Sequence, residues 1–243
     1  MRVMKTPKIA LTIILFLLVI AAGAWSYYQK TPQTMDNTLQ NGEIGYIPIG
    51  DSYTIGNGLH AEDRWPNVMT KRLNEAGIPV KLLANPAVSG YTVKDALVQE
   101  VPVVERLKPD FVTVFIGAND NFRGISPQIY QQELKNLLDQ IQSNLKKPDN
   151  IVLITIPDYS KSPSAQNYKT AGMSEGIQAY NQIIKKEAEQ RGLKVADIFP
   201  ISQTMTTDAD FISDGLHPSA QGTAKWEQVI YPVVLEKLQE KHD

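Results

Sequence analysis

The chain has 243 residues, no cysteine, three histidines and a formal net charge of −2. Hydrophobic residues at 42% and charged residues at 21% are ordinary for a folded domain and exclude wholesale disorder. Without cysteine there are no disulfides, thiolate metal sites, thiol nucleophiles or cysteine-linked lipids. The near-neutral balance gives no electrostatic case for nucleic acid, and imidazole chemistry must use His60, His217 or His242.

Residues 1–8 carry Arg2, Lys5 and Lys8 and no acid, and an uncharged run follows from Ile9 to Trp25. That order is the pattern of an export signal, with the basic tip left in the cytoplasm. Ala22-Gly23-Ala24 suits cleavage. The length of the run, and Trp25, Tyr27 and Tyr28 beyond it, suit an uncleaved membrane anchor somewhat better. Residues 1–25 are therefore expected to be a signal peptide or membrane anchor, with the rest outside the membrane. Without residues 1–24 the net charge is −5, which speaks against electrostatic binding to anionic lipid. Residues 26–43 are polar and aperiodic, and read as a linker to a domain spanning 44–243.

From Ile44 onward short apolar runs alternate with helical periods. Strands are expected at Ile44–Ile49, Val80–Ala84, Asp110–Ile116, Ile151–Ile156 and Leu193–Phe199, each nearly continuously apolar, as in parallel strands buried on both faces. Helices are expected over Trp65–Ala76 and Thr92–Leu107. One-sided stripes at spacings of three and four add three more. These are Tyr130, Leu134, Leu137, Leu138, Ile141 and Leu145; then Ile177, Tyr180, Ile183, Ile184 and Ala188; then Trp226, Val229, Ile230, Val233, Val234 and Leu238. Five strands alternating with helices predict an α/β fold, a three-layer α/β/α sandwich with a five-stranded parallel sheet and right-handed crossovers.

Sites in such folds lie beyond the carboxyl ends of the strands, and polar groups cluster there. Gly50-Asp51-Ser52-Tyr53-Thr54-Ile55-Gly56 follows the first strand, and Ser89-Gly90 the second. Gly117-Ala118-Asn119-Asp120 follows the third, and Asp214-Gly215-Leu216-His217 precedes the final helix. Each has a plainer reading. Ser52 suits a helix N-cap, Asn119-Asp120 a capped turn, Asp214-Gly215 a turn, and His217-Pro218 a helix start.

Together the four segments resemble the four blocks of the GDSL/SGNH hydrolases, over roughly Ile44 to Leu238. Tyr53 departs from the leucine that names the family, and the Ser89-Gly90 block is the least distinctive. The resemblance implies a flavodoxin-like SGNH fold and a serine ester hydrolase (a GDSL-type lipase or acylhydrolase). Ser52 would be the nucleophile, His217 the base and Asp214 its orienting acid. The N–H groups of Ser52 and Gly90 and the Asn119 amide would form the oxyanion hole. No metal or organic cofactor is implied, and Asp51 would be structural. Such a site handles any activated acyl group, so an acyltransferase or an O-deacetylase acting on cell-envelope glycans is an alternative, as is a binding module without catalysis. Expected partners are small-molecule, lipid or glycan esters, with membrane contact only through residues 9–25. The polar stretch Pro157–Glu175, with Tyr159 and Tyr168, either edges the site or is a surface loop. Phe122 and Ile125 offer apolar surface for an acyl group. His60 either lines the site or, as the favoured reading, stands in a partly exposed loop, and His242 is expected at a frayed terminus.

Overall fold

The computed structural model describes residues 38–167 and 172–240. The segment expected to be a signal peptide or anchor, most of the expected linker, Tyr168 and His242 lie outside the described residues. Among the described residues no helix is long and apolar enough to cross a membrane. Leu39–Asp243 forms one compact unit, in which Leu39 packs on the core ahead of the first strand.

The sheet is built from β1 (Ile44–Gly50), β2 (Val80–Leu82), β3 (Phe111–Phe115), β4 (Ile151–Ile154) and β5 (Lys194–Ala196). All pairings are parallel, in the order β2-β1-β3-β4-β5. β3 and β4 are buried at every position, as their unbroken apolar runs require. The edge strands β2 and β5 are three residues each, shorter than their apolar runs, because pairing with a single neighbour stops there. β4 stops at Ile154, and the Asn181 side chain takes over both polar groups of Ile156. Its Oδ1 accepts the Ile156 N–H at 2.7 Å and its Nδ2 donates to the Ile156 carbonyl at 2.9 Å.

The helices follow the alternation. They are α1 (Ser52–Ile55), α2 (Trp65–Glu75), α3 (Val93–Gln99), α4 (Val101–Leu107), α5 (Ala118–Phe122), α6 (Pro127–Asn144), α7 (Met173–Arg191), α8 (Phe199–Ser202) and α9 (Ala220–Gln239). The stripes are their buried faces: Tyr130, Leu134, Leu137, Leu138 and Ile141 on α6; Ile177, Tyr180, Ile184 and Ala188 on α7; Trp226, Ile230 and Val234 on α9. α2 packs with α9, while α6 packs with α3, α4 and α7. Right-handed crossovers explain that division, because the chain moves to one side from β1 to β2 and back the other way from β2 to β3.

The single helix expected over Thr92–Leu107 is two. Thr92 caps α3 with its side chain, and α4 opens after Glu100 with Pro102 in its first turn. Proline lacks the N–H that would bond to Val98, so the periodic pattern continues while the helix does not.

Pro48 lies inside the central strand β1, which proline normally avoids. The Tyr46 carbonyl accepts the Leu83 N–H on the β2 side. The two-residue period of a strand turns Pro48 to that same side, where β2 has already ended at Leu82. No ladder bond is lost.

Candidate active site

The strand order reverses between β1 and β3, the point where ligands bind in open α/β sheets. Ser52 follows β1 and Asn119 follows β3. One cavity of about 320 Å³ at this point is lined by Ser52, Gly90, Asn119, Asp214 and His217. Segments from four separate connections thus meet in one wall. His60, by contrast, is exposed, precedes the 3₁₀ turn Ala61–Asp63 and does not line the cavity.

The capping readings fail one by one. Asp51, not Ser52, caps α1: its Oδ1 accepts the Tyr53 N–H at 3.0 Å. Ser52 is the first residue of the helix and is nearly buried. Asn119 sits inside α5, whose N-cap is Gly117. His217-Pro218 does not open α9, which Ser219 caps; Pro218 instead forms a β-bridge with Phe211. Gly50 is required by close approach, because a Cβ there would lie 2.5 Å from the Phe115 carbonyl oxygen and 2.1 Å from Thr54 Oγ1.

Asp214 and His217 are bound to each other in the wall. Asp214 Oδ2 lies 2.6 Å from His217 Nδ1, and Asp214 Oδ1 accepts the backbone N–H groups of Leu216 at 2.8 Å and His217 at 2.9 Å. Partial burial pushes the Asp214 carboxyl up. The bonds from the His217 ring and the two N–H groups outweigh it and hold the group below its ordinary value. Asp214 is therefore a carboxylate at neutral pH, Nδ1 carries the proton between them, and Nε2 is left to accept another. The Tyr53 ring packs edge-on to His217 at 5.7 Å, stacks on Phe115 at 5.7 Å and meets Trp226 at 5.2 Å. The tyrosine that replaces the family's leucine thus backs the imidazole.

Asn119 Nδ2 donates to Asp51 Oδ2 at 3.1 Å and to the Tyr91 carbonyl at 3.0 Å. Both amide hydrogens therefore have acceptors within the protein. These bonds tie α5 to the turn that holds Ser52 and to the turn that holds Gly90. Gly90 has φ +89°, a conformation that side chains disfavour, and its carbonyl accepts from Arg123 Nη2 at 2.7 Å.

The Pro157–Glu175 stretch edges the site where it is described. Tyr159, Ser162, Ser164, Ala165 and Met173 line the cavity. The Ser164 N–H bonds to the Gly215 carbonyl at 3.0 Å, and Tyr159 Oη donates to Asn121 Oδ1 at 2.5 Å. Asp158 anchors the base of this wall, accepting from Ser160, from Ser174 at 2.7 Å and from Gln203 at 3.1 Å. Phe122 lines the cavity and is 58% exposed. Ile125 does not line it; its carbonyl accepts from Tyr180 Oη.

Residues 49–225 match the GDSL-like Lipase/Acylhydrolase family. The chain belongs to that family. Among curated relatives, this GDSL-family chain is 27% identical to an arylesterase of Vibrio mimicus over 178 residues, covering 72% of this chain and 80% of the relative. It is 22% identical to the esterase TesA of Pseudomonas aeruginosa, covering 89% and 96%. Its fold is like that of a lipase/acylhydrolase from Enterococcus faecalis, with TM-score 0.65, 22% identity, and 82% and 100% of the two chains covered.

Two site residues of this family member escaped the sequence reading. Asn57 Oδ1 accepts from Ser89 Oγ at 3.3 Å, and Asn57 Nδ2 lies 3.3 Å from His217 Nδ1, so one side chain spans the second block and the histidine. Arg123 braces Gly90. Asn57 lies in the Gly56-Asn57-Gly58 turn just after the first block, which is the one local signal it offers.

Proposed function

We propose that this protein is an extracytoplasmic serine ester hydrolase that cleaves carboxylic esters through an acyl-serine intermediate. The observation that carries this is the Asp214–His217 pair at 2.6 Å, in the same cavity wall as Ser52. The arylesterase and esterase names of the relatives support it. So does the basic tip followed by an apolar run in residues 1–25, read as the export segment or anchor ahead of the linker and the catalytic domain.

In this reading His217 Nε2 takes the Ser52 Oγ proton as Oγ bonds to the ester carbonyl carbon. Asp214 holds the tautomer and offsets the imidazolium charge. The oxyanion is met by the Ser52 and Gly90 N–H groups and by Asn119, which releases one of its internal bonds to do so. Collapse breaks the carbon–oxygen bond to the alcohol, which leaves with the proton from His217. Water then enters by the same steps and frees Ser52 as the acid departs.

The walls favour hydrocarbon acyl groups over acetyl. Phe122, Tyr159, Ala165, Met173 and Leu216 are apolar, and Asp214 is the one acid or base besides His217 among the lining residues. That argues for a carboxylesterase ahead of a glycan O-deacetylase or acyltransferase. Each buried methylene contributes about 0.8 kcal/mol, roughly fourfold in kcat/KM. The full-length chain is expected to hydrolyse p-nitrophenyl butyrate at least tenfold more efficiently than the acetate, and to be labelled at Ser52 by a fluorophosphonate. Equal efficiencies would favour the deacetylase. Absence of both labelling and hydrolysis would leave a binding module.

A further inference from the structure

The Gly50 N–H is bound by a side chain from another layer. Along β1, Tyr46, Pro48 and Gly50 face the side where β2 lies, and β2 ends at Leu82. Pro48 has no N–H to satisfy there, but Gly50 does. Glu100, the residue between α3 and α4, fills the place of the missing strand: its Oε2 accepts the Gly50 N–H at 3.0 Å. The break between the two helices is what brings its side chain in. Glu100 is fully buried, and its Oε1 has no hydrogen-bond partner among the described residues.

The groups facing Glu100 are acidic. Asp51, on the turn that presents Ser52, and Asp95, on α3 itself, both oppose a charge on it, and no ion pair to Lys or Arg among the described residues relieves it. Asp120 on α5, bonded to the Val93 N–H at 3.1 Å, in turn opposes a charge on Asp51. A buried carboxylate beside a second one, with no cation, keeps its proton. Burial above all, then the neighbouring acids, pushes Glu100 up to about 8, and burial pushes Asp51 up to about 7. Asp51 accepts two hydrogen bonds, from the Tyr53 N–H and the Asn119 amide, whereas Glu100 accepts one and its Oε1 none, so Asp51 is the better placed of the two to carry a charge.

We propose that Glu100 is a positioning residue of the active site, holding the nucleophile turn as an uncharged acid, and that loss of its proton sets the alkaline limit of activity. The inference rests on the ester-hydrolase reading above. An ionised Glu100 places a second charge against Asp51 across Gly50. Asp51 is the carboxyl that ties Asn119 to the Ser52 turn, so its displacement reaches both the nucleophile and the oxyanion hole without Glu100 touching substrate. Tyr53, the ring against His217, does not supply this limit, because burial pushes its phenol well above its ordinary value.

The test is kcat for p-nitrophenyl butyrate from pH 6 to 10, corrected for spontaneous hydrolysis, with the full-length chain and with Glu100→Gln. Glutamine can accept the same Gly50 N–H and never ionises. Wild-type kcat is expected to fall about tenfold per pH unit beyond the limb that begins near pH 8. Glu100→Gln should match wild type within about threefold at pH 7 and stay level to pH 10. A variant with the wild-type limb, or a wild type with no limb, overturns the proposal. If the variant does not fold, difference infrared spectra of the wild type decide: a protonated-carboxyl carbonyl band must disappear with the same midpoint as activity, and a band that is absent or titrates elsewhere overturns it. A protein that shows the titrating band but hydrolyses no ester and resists the fluorophosphonate fails on the functional reading instead.

Discussion

Replacing Ser52 by alanine is expected to lower ester hydrolysis by about four orders of magnitude or more and to abolish fluorophosphonate labelling, with the fold intact. The two effects separate because the structural duty at this turn belongs to its neighbour. Asp51 caps α1, and Ser52 stands at the first helical position, where alanine is well tolerated. The change removes one oxygen and leaves the Asp51 bonds to Tyr53 and Asn119 in place. Thermal unfolding should therefore shift by no more than about 1 kcal/mol equivalent. A Ser52→Ala protein that still turns over p-nitrophenyl butyrate at a comparable rate would remove Ser52 as nucleophile.

The second large effect is expected from Asp214→Asn. Asparagine keeps the size and an oxygen for the Leu216 and His217 N–H groups, so the turn survives. It replaces the oxygen facing Nδ1 by an N–H donor. The imidazole must then turn an unprotonated Nδ1 towards it, which puts the proton on Nε2, where the base is needed. The loss in kcat should be about 10³ to 10⁴, with KM little changed. A variant within tenfold of wild type would mean that another group orients His217, and Asn57, 3.3 Å from the same nitrogen, is the residue to replace next. In the wild type the low position of the Asp214 carboxyl keeps it ionised through the neutral and mildly acidic range. Loss of activity on mild acidification should therefore not come from protonation of Asp214.

Much of the architecture was legible because parallel strands buried on both sides leave unbroken apolar runs, and helices on the faces leave stripes. The order of strand and helix, the parallel sheet and the polar residues after the strands all follow from those patterns. Where strands end was less legible, since the ends depend on what pairs alongside. Ile156 reads as strand, yet Asn181 takes its bonds from another layer. The helix over Thr92–Leu107 kept its apolar period across a break at Glu100, because both halves pack against α6. In the site, Ser52, Asn119, Asp214 and His217 stand in recognisable blocks. Asn57, Arg123 and Glu100 act through contacts with residues far along the chain, and local sequence carries no trace of such partners.

The strand order also governs when the chain becomes competent. Asn57 and His217 are 160 positions apart and yet share one contact, and β1 must find β3 across the whole β2 crossover before Asn119 reaches Asp51. Closing loops of that size is entropically costly and slow compared with forming helices. The helices can form early, but the site cannot, because its last member enters with the segment ahead of α9. Under the proposed function, a chain still emerging from the ribosome would hold Ser52 without its base, and hydrolysis would appear only once the final connection had docked.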